Sequence, residues 1–562
     1  MTKIQDQLKQ AIFDAVKTAY PEVEVKLEEI ILDHPTVEEF GDYSTNLPLR
    51  LSKQLNKNPQ EVADKIIAEM SSPVAAVAKA GFINFTLTLE FLISEMTKVG
   101  KNFGENQLLA GQKIMVEYAH PNTHKEMHIG HMRTLITGEA LARIFTACGA
   151  MVYRANYQGD IGPHVAKAVW GADKLLKNKG LTWEEIEKKS LPEKAHFLGE
   201  GYVSGVSGYE ENKAAIDELN SKLYASDPTI SEIYKKTRQW SLDYYDSLYQ
   251  RFNTKFDHLY FESEVAQAGK KIVMDNVGKV FTKSDGAIIF DGEKYGLHKR
   301  VFITTDGNPT YEAKDMGLAP AQFSDFPFDK CIHVVANEQA GYFKVIIKAL
   351  ELIDAKYIGR EHHLSMGMVQ LVGKKMSSRT GILITVDGLI DDVKNLLPNK
   401  GTPEAVEPVA IGAVKYSVLK TDPLLNAMFD LEKSVSLDGD SGPYLQYTYA
   451  RSCSVIAKSN ATKRSLKDRH APLAMTPEEI KLLRYLYRFP EVVEQAAKQY
   501  APNVLCTYLF ELAKRFNNFY NNCQIISDDK NLTANRLLLT ASVSQIIANG
   551  LNLLGIEALE KM

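Results

Sequence analysis

Two histidines stand where a predicted strand leads into a predicted helix. They belong to His128-Ile129-Gly130-His131, which follows apolar residues 114–116 and a polar loop. A helix N-terminus attracts phosphate through its unbonded N–H groups and its dipole. Gly130 would allow close approach of a ligand, and the imidazoles could donate hydrogen bonds to a triphosphate as charge moves onto the bridging oxygen. The segment therefore predicts a nucleotide site; a helix start with incidental histidines is the alternative.

A second segment, residues 373–381, carries lysines and serines on a short loop between two apolar stretches. By itself it could be a solvated basic turn. Two phosphate-binding segments flanking one β/α domain instead indicate a fold that binds ATP from both sides. Its predicted ATP-binding residues are His128, Ile129, Gly130, His131, Lys375, Met376, Ser377 and Ser378.

An alternation of strands and helices positions both segments. Strands are predicted at 114–116, 151–157, 301–304, 331–335 and 363–369. A β-α-β unit implies a parallel sheet with ligands at the carboxyl ends of its strands. The predicted class is α/β, with an N-terminal α+β domain, a parallel-sheet catalytic domain that contains an insertion, and a C-terminal α-helical bundle.

The predicted boundaries follow these changes of pattern. They are an N-terminal domain at 1–110, the first half of the catalytic domain at 111–170, an insertion at 171–299, the second half of the catalytic domain at 300–388, a helical connection at 389–440 and a helical domain at 441–562.

Composition excludes several classes of protein. No apolar run reaches the ~18–20 residues that a membrane helix needs, and the polar N-terminus does not resemble a signal peptide. The five cysteines are scattered without a C-x-x-C pair, which argues against a zinc ribbon or a disulfide framework. We therefore expect a cytoplasmic protein without membrane contact.

The two short motifs resemble the signature motifs of class I aminoacyl-tRNA synthetases. The finer resemblance is to the arginyl-tRNA synthetase family, and it extends over nearly the whole chain. It is carried by Asn156-Tyr157-Gln158-Gly159-Asp160-Ile161-Gly162, by Gly442-Pro443-Tyr444-Leu445-Gln446-Tyr447, by Phe40-Gly41-Asp42-Tyr43-Ser44 and by Gly555-Ile556-Glu557-Ala558-Leu559-Glu560-Lys561-Met562.

This resemblance implies a Rossmann-type catalytic domain and a defined reaction. L-arginine and ATP would give arginyl-adenylate and pyrophosphate, and the arginine would then pass to the terminal ribose of tRNA(Arg). Magnesium is expected with the ATP, without a dedicated protein metal site. In this family adenylate formation usually also requires bound tRNA. We expect a monomer.

Residue chemistry independently favours arginine. A guanidinium is planar and permanently charged, and a carboxylate binds it best through two parallel bonds. Tyr311 and Asp315 are four residues apart, on one face of a predicted helix. By resemblance Glu117, Tyr311, Asp315 and Gln339 bind the side chain or ammonium of arginine, while Asn122 and His128 bind its backbone groups. Lysine would leave buried acceptors unpaired, so no editing site is expected.

The second motif departs from the pattern of the class. Ser378 stands where a second lysine usually steadies the pyrophosphate. In arginine enzymes a lysine just before the first motif is thought to substitute, and Lys125 occupies that place. The predicted catalytic residues are therefore His128, His131, Lys125 and Lys375. Glu126 replaces a usual proline, which predicts a less rigid loop.

Contacts with tRNA are implied mainly by the resemblance. Tyr444, Arg451 and Tyr520 are candidates in the helical domain, because aromatic faces and guanidinium groups suit unstacked bases. Phe82 and Asn84 are candidates for contact with the tRNA elbow. Aromatic residues buried between helices remain the alternative interpretation.

Two other functions are compatible with such a chain. One is a tRNA-binding or regulatory paralogue that has lost catalysis, against which His128, His131, Lys375 and Asp315 argue. The other is a class I synthetase for lysine or cysteine. The absence of paired cysteine ligands disfavours cysteine, and the set Tyr311, Asp315 and Gln339 favours arginine.

Overall fold

The computed structural model describes residues 4–72, 74–373, 384–397, 402–459 and 475–562. The chain divides into two compact units. The first comprises Met1–Gly100, Ser465–Arg488 and Phe519–Ser542, and the second comprises Lys101–Arg464, Phe489–Asn518 and Val543–Met562.

The N-terminal part of the first unit packs helices against a small antiparallel sheet. Its strands are β1 (Tyr43–Thr45), β2 (Ala75–Lys79) and β3 (Phe82–Thr86), in the order β1-β3-β2. Its helices are α1 (Ile4–Ala19), α2 (Leu47–Leu55), α3 (Pro59–Ala68) and α4 (Leu89–Thr97). Helices α2 and α3 are separate, because Asn56 adopts a left-handed conformation after α2 and Asn58 caps α3. The predicted α+β class is confirmed.

The second unit is built on a five-stranded parallel sheet. The strands that follow along the chain are β4 (Lys113–Glu117), β5 (Met151–Gln158), β6 (His258–Phe261), β7 (Thr282–Ser284), β8 (Ala287–Phe290), β9 (Arg300–Ile303), β10 (Lys330–Ala336), β11 (Glu361–Met366), β12 (Val369–Leu371) and β13 (Ala427–Phe429). The sheet order is β6-β5-β4-β10-β11 with parallel pairing throughout. This is the Rossmann order, in which ligands bind where the order reverses, between β4 and β10.

Helices connect and cover these strands. They are α5 (Ile129–Ala147), α6 (Pro163–Lys179), α7 (Trp183–Glu187), α8 (Leu191–Ser207), α9 (Tyr209–Tyr224), α10 (Pro228–Arg251), α11 (Glu262–Asp275), α12 (Tyr311–Asp325), α13 (Ala340–Ile353), α14 (Val386–Leu396), α15 (Pro403–Leu419) and α16 (Leu431–Ser434). Most of α5 is buried, so the helix that carries the first motif is fixed along its length.

Two strands differ from the sequence prediction. β9 was predicted to continue the parallel sheet, but it pairs antiparallel with β8 in the separate sheet β7-β8-β9. An apolar run predicts a strand without specifying its partner. Conversely, β6 lies within 171–299, the range assigned to an insertion, and it forms one edge of the parallel sheet. The predicted domain boundaries themselves stay a prediction.

The C-terminal part of the chain is helical, as predicted. Its helices are α17 (Gly442–Lys458), α18 (Pro477–Leu486), α19 (Phe489–Gln499), α20 (Pro502–Asn522) and α21 (Lys530–Leu553). None of the helices in the described ranges is long and apolar enough to cross a membrane.

Candidate active site

His128 caps the helix that the first motif opens. Its Nδ1 accepts a 3.1 Å hydrogen bond from the N–H of Gly130. A Cβ atom at position 130 would lie 2.9 Å from Cε1 of His128, so any larger residue would displace the imidazole from this position. The N–H of Ile129 is bonded to the carbonyl oxygen of Ile384. The helix therefore has fewer unbonded N–H groups than the sequence predicted. More of the hydrogen bonds to a bound phosphate would then come from the imidazole side chains.

The two histidines of the motif stack on each other and are neutral at pH 7. The ring centroids of His128 and His131 are 3.8 Å apart. Burial and nearby cations lower the pKa of His128 to about 4 and hold that of His131 well below its usual value. Because Nδ1 of His128 accepts a hydrogen bond, its single proton lies on Nε2. His128 can therefore donate to an anionic ligand without itself being charged.

Tyr245 of α10 holds the loop that precedes α5. Its hydroxyl lies 2.5 Å from the carbonyl oxygen of Asn122 and 2.7 Å from that of Lys125, and the residue is 1% exposed. His124, at a φ of 63°, hydrogen-bonds to Thr237 of the same helix at 2.8 Å. Buried carbonyl groups need donors, so α10 fixes the conformation of this loop.

The first motif faces a cavity of about 1600 Å³, which we call the larger cavity. This volume exceeds the roughly 300–1,000 Å³ typical of a small-molecule site. The predicted residues that line it are Asn122, Lys125, His128, Ile129, Gly130 and His131. Gly373 and Ile384, which bracket residues 374–383, line it as well. The predicted residues Lys375, Met376, Ser377 and Ser378 lie outside the described residues.

Lys125 supplies a cation to the wall of the larger cavity. Its Nζ lies 3.9 Å from the centroid of the Tyr202 ring. Burial, assisted by the charge of Lys167, lowers the pKa of Lys125 to about 8, so the group remains mostly charged at pH 7. Within the described ranges no carboxylate forms an ion pair with it. A cation in this position is available to a phosphate.

A smaller cavity of about 390 Å³ is lined by residues of β4 and β10, the two strands at which the sheet order reverses, and by residues of α12 and α13. It shares Asn122 with the larger cavity. Four more of the residues predicted to bind arginine line it, namely Glu117, Tyr311, Asp315 and Gln339. The sixth, His128, faces the larger cavity only. The structure therefore brings five of the six residues predicted to bind arginine together, beside the residues of the first motif.

Glu117 at the end of β4 is fixed as an anion. His333 lies 2.9 Å from its Oε1, and Gln322 donates to its Oε2. Burial disfavours the charge, but the charge and hydrogen bond of His333, together with His120 and the hydrogen bond from Gln322, outweigh it and lower the pKa of Glu117 to about 2. The smaller cavity therefore holds a permanent negative charge at neutral pH.

Asp315 is the second carboxyl group of the smaller cavity and behaves differently. Burial raises its pKa to about 8, although the Tyr342 hydroxyl donates to it at 2.7 Å. Tyr311 precedes Asp315 by one turn of α12, as predicted, and is 50% exposed. Without a cation Asp315 is mostly protonated at pH 7, and an entering guanidinium would favour its ionised form.

Sequence reasoning missed a second group of residues around the smaller cavity. They are His120, Tyr157, Arg300, Gln322, His333, Tyr342 and Glu361. Tyr157 stands in the segment 156–162 quoted above but was given no role in the site, and the other six belong to none of the quoted motifs. For those six the available signal was a histidine inside an apolar strand, as at His333 in β10.

The predicted tRNA-binding residues lie in both units. In the first unit Phe82 is 38% exposed and Tyr520 is 38% exposed, whereas Asn84 is 9% exposed. In the second unit Arg451 donates to Asn517 at 2.8 Å, and Asn517 donates to the hydroxyl of Tyr444 at 2.9 Å. Asn84 is thus largely buried, and Tyr444 and Arg451 share one hydrogen-bonded group.

Three family models together match almost the whole chain. The "Arginyl tRNA synthetase N terminal domain" matches residues 2–87, "tRNA synthetases class I (R), catalytic domain" matches residues 89–431, and the "DALR anticodon binding domain" matches residues 445–562.

Individual proteins show the same relationship. The chain is 31% identical to the arginine–tRNA ligases of Treponema denticola and Borrelia hermsii, in each case over 100% of both chains. Among solved structures, the arginyl-tRNA synthetase of Thermus thermophilus matches with a TM-score of 0.82 at 27% identity, covering 99% of each chain. By its sequence and its fold, this chain belongs to the arginyl-tRNA synthetase family of class I aminoacyl-tRNA synthetases.

Proposed function

We propose that this protein is an arginine–tRNA ligase that works through the two adjoining cavities. L-arginine reacts with ATP to give arginyl-adenylate and pyrophosphate, and the arginyl group then passes to the 3′-terminal ribose of tRNA(Arg). The observation that carries the proposal is the position of Asn122, which lines both cavities. The carboxylate of an arginine in the smaller cavity would then be close to an α-phosphate in the larger one.

The smaller cavity suits arginine in size and charge. Its volume of about 390 Å³ lies at the small end of the range for ligand sites. Asp315 can accept two hydrogen bonds from a planar guanidinium, with Tyr311 and Gln339 beside it, and Glu117 can receive the second cationic group. Lysine would leave part of this acceptor set unpaired. The absence of an editing site stays a prediction; rapid deacylation of mischarged tRNA(Arg) by the enzyme would contradict it.

The larger cavity binds ATP in this proposal. His128 and His131 donate to the phosphates, and Lys125 offsets the charge that develops on the departing pyrophosphate. Lys375 and its neighbours contribute from the second motif. Magnesium enters as the counterion of ATP. The carboxylates that line the cavity are oxygen donors of the kind that this ion prefers; they are Glu126, Glu200 and Glu338.

Binding of tRNA and molecular organisation complete the proposal. Tyr444, Arg451 and Tyr520 are assigned to the anticodon region, and Phe82 with Asn84 to the elbow. Of these, the exposed aromatic rings of Phe82 and Tyr520 suit stacking best. We propose that the protein is a cytosolic monomer and that its domains have the boundaries predicted from the sequence. Light scattering of the purified protein and cell fractionation test these two properties.

ATP–pyrophosphate exchange, measured across amino acids with and without tRNA(Arg), tests the function. We expect exchange with arginine alone, and only when tRNA is present. Exchange with lysine would overturn the substrate assignment. Binding of tRNA(Arg) without any exchange or charging would instead favour a paralogue that has lost catalysis.

A further inference from the structure

A histidine in the middle of the parallel sheet bridges two glutamates. Nδ1 of His333 lies 2.9 Å from Oε1 of Glu117, and its Nε2 lies 2.8 Å from Oε2 of Glu361. The strand register produces this arrangement. His333 on β10 is paired with Glu117 on β4, and Glu361 on β11 is paired with Cys331, two residues before the histidine. Residues two apart in a strand share a face, so all three side chains lie on the same side of the sheet.

The bridge carries a positive charge at its centre. A carboxylate only accepts hydrogen bonds, so both ring nitrogens must donate, which only an imidazolium can do. Glu117 also receives a bond from Gln322 and lies 3.8 Å from His120, which favours its anionic form. Burial opposes the charge on the ring, but Cys331 and Glu117 beside it raise the pKa of His333 well above its usual value.

The charges around the smaller cavity explain why such a cation is needed. Glu117, Asp315 and Glu361 supply three carboxyl groups, whereas arginine brings two cations, its guanidinium and its ammonium. A fourth carboxylate, Glu312, is already paired with Arg300 at 2.9 Å. Oε1 of Glu361 is buried and makes no hydrogen bond within the described ranges. The cavity therefore has one carboxyl group more than arginine has cations.

We propose, on the basis of the proposed function, that His333 is a positioning residue that sets the specificity of the smaller cavity for a substrate with two cations. It holds the Glu117 carboxylate in place and cancels the charge of Glu361, which leaves two carboxyl groups for the two cations of arginine. Without it, Glu117 and Glu361 would face each other with no cation between them, and one would take up a proton. Arginine would then lose a partner.

Other titratable groups surround the bridge and stay unchanged in the test. They are Cys331 on the same strand, His120 after β4, Asp315 on α12, and His362 and His363 on β11. The ligand atoms of Cys331, His333 and Glu361 lie within 4.8 Å of one another. Zinc could bind such a set of side chains, so the metal content of the protein is part of the test.

A double-mutant cycle of His333→Gln and Glu361→Gln tests the charge balance. Arginine KM and kcat for tRNA charging are measured for each single variant and for the pair, with melting temperatures. We expect each single variant to raise KM about ten- to a hundredfold with little change in kcat. The double variant has no surplus charge and should return close to the wild-type KM. His362→Gln is the control, because His362 is adjacent on β11 but its ring packs near Tyr500, with centroids 5.3 Å apart.

Each outcome decides the proposal. A wild-type KM in His333→Gln, a double variant no better than the worse single variant, or one zinc ion per purified chain would overturn it. If His333→Gln does not fold, a folded double variant with near-normal KM supports the proposal, and one with a KM as high as that of Glu361→Gln contradicts it. A wild-type protein that never charges tRNA with arginine would instead contradict the proposed function.

Discussion

The hydroxyl of Tyr342 lies 2.7 Å from Oδ2 of Asp315 in the smaller cavity. Burial nevertheless raises the pKa of Asp315 to about 8. The neighbouring carboxyl group of Glu117 has its pKa lowered to about 2. The cavity therefore combines one permanent anion with one carboxyl group that ionises when a cation binds.

Arginine binding should release a proton near neutral pH. The ionised form of Asp315 binds the guanidinium, and this form is the minor one below about pH 8. Affinity should therefore rise about tenfold per pH unit between about pH 6 and pH 8 and level off above that range. Calorimetry in buffers of different ionisation enthalpy should detect close to one proton released at pH 7. Affinity that does not change with pH across this range would contradict the assignment.

Tyr342→Phe should shift that pH dependence upwards. The variant removes a hydrogen bond that favours the charged form of Asp315, so arginine affinity at pH 7 should fall by about ten- to a hundredfold. Tyr357→Phe is a matched control, because the Tyr357 hydroxyl is buried yet has no hydrogen-bond partner in the described part of the chain. Equal losses in the two variants would show that a general loss of packing is responsible.

Lys125→Ala should slow adenylate formation by about 10²–10³ in kcat, as expected for loss of a group that stabilises developing charge. The pKa of Lys125 is lowered to about 8, so the cation is present below that pH and lost above it. The rate should therefore decline above about pH 8 in the wild type. Lys174→Ala is the control, because Lys174 makes the same kind of cation–π contact, 5.0 Å from the Trp170 ring centroid. A normal exchange rate in Lys125→Ala would show that Lys125 does not replace the lysine that is missing at position 378.

Tyr245→Phe should affect both stability and catalysis. The one hydroxyl proton that Tyr245 shares between the carbonyl oxygens of Asn122 and Lys125 would be lost, at a cost of about 1–3 kcal/mol in the free energy of unfolding. Because the same loop carries Lys125 and leads to His128, kcat should fall as well. Tyr249→Phe, one turn further along α10, removes a hydroxyl bonded to Asn156 instead. It should reduce stability without a comparable loss of kcat; similar kcat values in the two variants would argue against the role of the loop.

Sequence patterns predicted the elements that depend on local signals. The strand, loop and helix around His128 follow from an apolar run, a polar loop and a helical period, and the structure has β4 and α5 there. Tyr311 and Asp315 were placed on one helical face by their spacing alone. These features need no information about distant parts of the chain.

Features set by tertiary contacts could not be predicted in the same way. β9 has the composition of a strand, but only its packing on β8 decides which sheet it joins. The partner of Glu117 comes from β10, 216 residues further along the chain. The N–H groups at the start of α5 were predicted to be unbonded, but that of Gly130 donates to His128, whose ring folds back onto its own helix. In each case the local sequence pattern is compatible with the contact that the structure shows and with its absence.

Selection of arginine by Asp315 is tested most directly by one comparison. The specificity ratio of kcat/KM for arginine over lysine is measured in tRNA-dependent charging by the wild type, by Asp315→Asn and by Asp325→Asn. Asp325 ends the same helix and binds the hydroxyl of Tyr260 at 2.9 Å, away from the cavity. We predict that Asp315→Asn lowers kcat/KM for arginine by at least about a hundredfold, since a charged hydrogen-bond partner is lost, while Asp325→Asn keeps the wild-type ratio. An Asp315→Asn enzyme that charges arginine with undiminished kcat/KM and specificity would contradict the account.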